Sequence, residues 1–196
     1  MNKLNNVNKL NNVNKLNNVN DKLVKFSFYV TYAFLMTTAT VTFIEALRTT
    51  DPAIRHVLNL ETCISIVAAF FYGVFMKKIN VKTINYKEIN VNRYVDWAIT
   101  TPIMLWVLLL AFKYNNNKNI TVGSFGLILL LNYGMLTFGF MGETGKMDKL
   151  KANLVGFVFF VGLYGYIYYN YIRGYNIFDN NILYGAFVFF WSLYGV

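Results

Sequence analysis

Six apolar runs, most of them about 20 residues long, dominate this 196-residue chain. They cover Phe26–Leu47, Val57–Met76, Tyr94–Phe112, Val122–Met141 and Leu154–Ile172, and a sixth begins at Ile182 and is still apolar at Val196. A helix of about 20 residues matches the ~30 Å hydrocarbon core of a bilayer. The sixth run gives only about 22 Å of helix, so it is expected to be cut short or to continue in further sequence. Barrel strands do not fit, because they alternate polar and apolar residues over about ten positions. Only 14% of the residues are charged, where a soluble domain carries about one-quarter, and the charges gather between the runs. The chain therefore reads as an all-α, multi-pass integral membrane protein of one domain, with the lipid bilayer as its first partner. Its net charge of +9 lies mostly in loops and tail, as lysine flanking of spans, and implies no nucleic-acid surface.

The first 20 residues repeat "NKLNNV" at Asn2–Val7, Asn8–Val13 and Asn14–Val19. A period of six matches no solenoid or coiled coil, and the Asn-rich composition predicts a disordered tail over 1–21 ahead of a membrane domain over 22–196. The tail lacks the order of a signal peptide. A lone Cys63 excludes an internal disulfide, and a lone His56 near a helix end reads as interfacial. One Cys and one His offer no metal-ligand spacing, and no nucleophile elbow or phosphate loop occurs, so neither a metal site nor an enzyme is expected. Charge counting sets the tail, the loop 77–93 and the loop 142–151 on one face of the membrane. Those segments hold 13 of the 18 Lys and Arg, which by the positive-inside rule would make that face cytoplasmic.

The third run opens on "RYVDWAITTP", Arg93–Pro102. On a helix Arg93, Asp96 and Thr100 fall on one face, and Trp97, Thr101 and Met104 form the adjoining stripe. A carboxylate facing lipid costs a few kcal/mol by insertion scales, roughly 2.5–3.5. Asp96 must therefore face the bundle interior, with Arg93 as one available partner. Spacing alone leaves a structural ion pair at a helix end equally open. Pro102 removes one backbone hydrogen bond and bends the helix, which membrane helices tolerate.

That stretch resembles the third-helix signature of microbial rhodopsins, R-Y-x-D-W-x-x-T-T-P, at every fixed position. "FGFMGETG" (Phe138–Gly145) resembles the end of the fourth helix in the proteorhodopsin-like branch. "FFWSLYG" (Phe189–Gly195) resembles the sixth-helix W-x-x-Y-P element, with Gly195 where proline is usual. "RHVLNLETCISIVAAFFYGVF" (Arg55–Phe75) resembles the second helix, especially of rhodopsins of large algal viruses. The resemblance implies a seven-helix rhodopsin-type bundle, of which about six helices are present with the sixth incomplete, around retinal held as a protonated Schiff base. It implies that Asp96 is the counter-ion and proton acceptor, supported by Arg93, Thr100 and Tyr72. Trp97, Thr101, Met104, Met135, Gly139, Trp191 and Tyr194 would form the retinal pocket, and an apolar Met104 implies green absorption. Family members form trimers or pentamers, so a homo-oligomer is expected. Family topology sets the N-terminus and the loop 77–93 outside, and these motifs outweigh the charge count. Leaving out Lys3, Lys9 and Lys15 still gives 10 against 5, so the tension is reduced and not removed.

Two departures qualify this expectation. Eleven residues beyond Asp96, where a pump carries its internal proton donor, stands Val107. Glu61 in the second helix lies near that level and is a candidate substitute donor or ion-path residue; the plainer reading pairs it with Arg55 or His56. Further, none of the 14 lysines falls mid-span, and no seventh helix with its Schiff-base lysine follows. The chain as written is expected not to link retinal at the usual site. A fragment, a truncated paralogue and half of a split assembly all fit, in that order. Light-driven ion movement, by a channel or weak proton pump, is the first expectation for the complete form. A photosensor acting through a partner and a colourless opsin-derived membrane protein are the alternatives.

Overall fold

The structure is a computed structural model; it describes residues 2–80, 85–175 and 177–193, with side chains from residue 21 onward. The described residues form helices and short connections, with no strand. The helices are α1 (Asn2–Arg48), α2 (Pro52–Ile79), α3 (Tyr86–Asn116), α4 (Val122–Thr144), α5 (Lys149–Ile167) and α6 (Phe178–Ser192). A π-helical turn, Tyr168–Ile172, continues α5. Five segments are long and apolar enough to cross a bilayer: Asp21–Arg48, Pro52–Ile79, Tyr86–Asn116, Val122–Thr144 and Lys149–Ile172.

Two boundaries differ from the sequence expectation. The backbone carries α1 back to Asn2, where composition predicts a disordered tail. Adding residues to a formed helix avoids the cost of nucleation, so a span can propagate into a segment that would not form a helix alone. Likewise α3 begins at Tyr86, eight residues before the apolar run, because Asn85 caps it by accepting from Glu88 N–H. The starts of α2, α4 and α5 are capped by the same chemistry. Asp51 accepts from the N–H groups of Ala53 and Ile54, Thr121 from Ser124, and Asp148 from Lys151. Gly145, at φ 78°, closes α4 in the left-handed conformation that glycine adopts without strain.

Chain neighbours pack on one another: α1 on α2, α2 on α3, α3 on α4 and α4 on α5, while α3 also meets α6. Lipid tails are as apolar as the side chains, so close approach and hydrogen bonds must hold such helices together. The α4–α5 contact is built on small residues. A Cβ at Gly142 would lie 2.7 Å from Ala152 Cβ, and one at Gly134 would lie 2.5 Å from the Phe159 ring. Between α1 and α2, the Thr42 and Thr62 hydroxyls meet at 2.7 Å. Between α3 and α4 two bonds lie side by side. Asn132 Nδ2 donates to Thr101 Oγ1 at 2.8 Å. The Tyr133 hydroxyl donates to the Ala98 carbonyl at 3.1 Å, which is the carbonyl left without its helical donor by Pro102. Beyond Pro102 the interior is dry, with Leu105, Leu108, Leu109, Phe112, Ile128 and Leu163 fully buried together.

Candidate chromophore site

Asp96 stands nearly three turns into α3, two residues past the start of its apolar run, and is 4% exposed. Its Oδ1 is buried with no hydrogen-bond partner among the described residues. The Thr100 hydroxyl, also buried, donates at 2.9 Å to the backbone carbonyl of Asp96. No ion pair joins Arg93 to Asp96 among the described residues; the guanidinium instead lies 5.2 Å from the Trp97 ring centroid. Sequence spacing fixes which face Arg93 shares and not which way its long side chain turns. The pairing expected for Glu61 is also absent. Arg55 donates to the Thr49 carbonyl at 2.6 Å, and Glu61, half-buried in α2, has no hydrogen bond or ion pair with a described residue. Tyr72 sits in a ring cluster, 5.4 Å from Phe28 and 5.5 Å from Phe75.

The stripe next to Asp96 opens into a cavity of about 300 Å³, within the range of small-molecule sites. Trp97, Thr101 and Met104 of α3, Met135 and Gly139 of α4, and Trp191 of α6 line it together. Six of the seven pocket residues expected from the sequence are thus brought to one place; Tyr194 lies outside the described residues. Gly139 has a second task. A Cβ there would come within 2.8 Å of the Tyr94 hydroxyl, so the glycine admits Tyr94, whose ring meets Trp97 at 5.1 Å and Phe140 at 5.8 Å.

The wall from α5 was not expected. Gly156, Phe157 and Phe160 complete the slot, with Ala152 and Asn153 at one end. Ala152, Gly156 and Phe160 recur every fourth residue and so share one helical face, a pattern visible in the sequence but indistinguishable there from packing. Tyr164 and Trp191 meet edge to face at 5.7 Å, which braces the indole from behind. Asn132, fully buried with Oδ1 unpaired, ties α4 to Thr101 beneath the slot.

These residues fit retinal on two counts. The slot is lined by four helices, and three of them, α3, α5 and α6, give it aromatic walls, as a flat polyene needs. The orphaned carboxylate oxygen is what a buried cationic N–H would satisfy, since a buried polar atom without a partner is costly, by about 1–3 kcal/mol.

The comparisons with known proteins agree. Viral rhodopsin OLPVRII has a crystal structure that superposes at a TM-score of 0.81 with 55% identity, over 88% of this chain and 81% of that one. The blue light-absorbing proteorhodopsin from Med12 superposes at 0.65 with 21% identity, over 88% of this chain and 76% of that one, which speaks for the fold alone. Green-light absorbing proteorhodopsin of Gamma-proteobacterium EBAC31A08 is 31% identical over 90 residues, 45% of this chain. The chain spans about a third of the length of the curated relatives it matches. The family model for bacteriorhodopsin-like proteins matches residues 22–196. The chain is thus an integral multi-pass membrane protein that belongs to the bacteriorhodopsin-like family of microbial rhodopsins.

Proposed function

We propose that this chain, in its complete form, binds retinal and moves ions in response to light, as a light-gated channel or a weak proton pump. The observation that carries this reading is a buried aspartate, Asp96, with one partnerless oxygen, placed one residue before an aromatic slot walled by Trp97 and Trp191. Retinal, when bound, supplies the light absorption and a cationic nitrogen. Asp96 offers the buried anion for that charge and the oxygen to which a proton moves. Arg93 holds a compensating positive charge one turn away, seated on Trp97. Thr100 fixes the local backbone, and Tyr72 shapes the α1–α2 side. Thr101, Met104, Met135 and Gly139 exclude water from the slot, and an apolar Met104 supports green absorption.

Fast pumping is not part of the proposal. Val107, buried and apolar, stands where an acid would return a proton, on a helix whose Leu105, Leu108 and Leu109 help make the dry interior. Glu61, a carboxylate inside the second span without a partner among the described residues, is the substitute donor or ion-path residue we assign, because unpaired intramembrane acids mark functional positions. The same dry interior favours a second reading, a photosensor whose slow recovery prolongs a signalling state. The absence of a mid-span lysine among the 14 in the sequence favours a colourless opsin-derived protein unless a seventh helix supplies the attachment. Assembly as a trimer or pentamer is proposed from the family resemblance and is checked by native mass spectrometry.

The test is to add all-trans retinal to the chain alone and to the chain co-expressed with a helix carrying an Asp and, four residues on, a Lys. A visible band only in the second case supports retinal binding at this slot; no band in either removes the proposal. In the coloured sample Asp96→Asn is expected to shift the band strongly to the red. A light-evoked current or pH change then separates ion movement from sensing.

A further inference from the structure

The end of α3 grips three elements with three successive side chains. Successive helical residues project about 100° apart, so Tyr114, Asn115 and Asn116 point three ways. The Tyr114 hydroxyl donates to Asp51 Oδ2, at the cap of α2, at 3.1 Å. Asn115 Nδ2 donates to Asn180 Oδ1 of α6 at 2.6 Å. Asn116 Nδ2 donates to the Tyr171 carbonyl in the π-helical turn at 3.0 Å. Lys118 adds a bond from Nζ to the Asn170 carbonyl.

The Asn115–Asn180 bond differs from its neighbours. Asn180 is 2% exposed, and its Nδ2 has no partner among the described residues. Between this pair and Asp96 lies the dry interior of Leu105, Leu108, Leu109 and Phe112. The start of α6 has no side-chain cap. Besides ring and apolar contacts, its other hydrogen bond to a neighbouring helix among the described residues is from the Tyr184 hydroxyl, which donates to the Tyr164 carbonyl at 3.0 Å one turn further along. In lipid no hydrophobic force presses α6 onto α3, so this bond carries unusual weight.

We infer that Asn115 and Asn180 form a clasp that holds the start of α6 against α3 and sets how readily the dry interior opens to water at that end. The orphaned Nδ2 makes the clasp reversible. Parting the helices breaks one hydrogen bond, but it lets both amides hydrate, including a donor that closure leaves unmet, so the closed and open states lie near balance. Its use in a light cycle rests on the retinal reading; the clasp itself does not.

The experiment is hydrogen exchange by mass spectrometry on the full chain in detergent, without retinal. Asn115→Ala is expected to raise exchange at residues 178–184 about fivefold, the factor that one lost hydrogen bond represents, and to leave α4 unchanged. The double variant Asn115→Leu with Asn180→Leu replaces both amides by apolar groups of similar size, which can be neutral or stabilising; exchange there should stay at or below the native level. Native exchange in Asn115→Ala, or a rise in the double variant equal to that in the alanine variant, overturns the clasp, the second because it marks plain packing damage. In a coloured sample Asn115→Ala should also shorten recovery of the dark state about fivefold without changing the initial rise. If no colour forms, the retinal reading fails while the exchange result decides the clasp.

Discussion

Gly142→Ala tests how the α4–α5 pair is held. The added Cβ would lie 2.7 Å from Ala152 Cβ, with the Lys149 Cα 3.7 Å away behind it. Carbon atoms rest at about 3.5–4.0 Å, so the helices must part by roughly 1 Å or distort. Ala152 is itself backbone-anchored and fully buried, so no flexible end can swing away. Overpacking of this kind costs about 1–3 kcal/mol. Alanine also favours helix over glycine by up to ~1 kcal/mol, and a control removes that gain. Gly126, exposed on the same helix, has nothing within 4 Å of its added Cβ, so Gly126→Ala takes the propensity gain alone. The difference between the two variants isolates the steric cost, on the order of 5 °C in midpoint for a chain of this size. Gly134→Ala should fall between them: its Cβ meets Phe159 at 2.5 Å, but that half-buried ring can turn toward lipid. The assay is thermal unfolding of detergent-solubilised chain by circular dichroism. If Gly142→Ala melts with or above Gly126→Ala, close approach is not what holds α4 to α5.

Thr101→Val should destabilise by about 1–3 kcal/mol, because it strips the partner that the buried Asn132 amide has among the described residues. Adding Asn132→Leu should recover much of that loss, and a double-mutant cycle by the same melts checks it. The Asp51 carboxylate is held below its ordinary range by the N–H groups of Ile54 and Ala53, against an opposing effect of burial, with a lesser contribution from the Tyr114 hydroxyl. A depressed folded-state value means that this group stabilises above the unfolded value of about 3.9 and loses that contribution as pH falls through the folded one. Asp51→Asn should therefore flatten the fall in midpoint below about pH 4, read by melts between neutral and acidic pH. Gly139→Ala should displace the Tyr94 hydroxyl and narrow the slot, so retinal uptake in the coloured preparation should slow or its band should move; an unchanged rate and band would deny that Gly139 borders the polyene.

Hydropathy and motif spacing made the spans and most of the slot legible, because an apolar run and a 100° turn per residue leave little freedom in where Trp97, Thr101 and Met104 can point. Side-chain direction at the helix ends was not legible. Arg93 shares a face with Asp96, yet stacks on Trp97. Glu61 follows Arg55 by a turn and a half, yet Arg55 turns to Thr49. Long side chains choose among partners that only the folded neighbours define. The α5 wall was hidden for another reason: Gly156 and Phe160 carry no charge that would mark them against ordinary lipid-facing residues. The clasp depends on Asn115 and Asn180, 65 residues apart, and a single asparagine in an Asn-rich chain announces nothing.

The bond from Tyr133 to the Ala98 carbonyl links two positions that no reading of either helix alone would connect. Pro102 leaves that carbonyl open, and a tyrosine from α4 fills it. Restoring an N–H at position 102 would return the carbonyl to its own helix and leave the tyrosine hydroxyl, 35 residues away, facing lipid without a partner. Over evolutionary time the two sites should therefore drift as a unit. Where a lineage replaces the proline by a residue with an N–H, phenylalanine becomes the better choice opposite. The reverse order of loss, tyrosine first, would leave a bare carbonyl in the membrane and should be the rarer path.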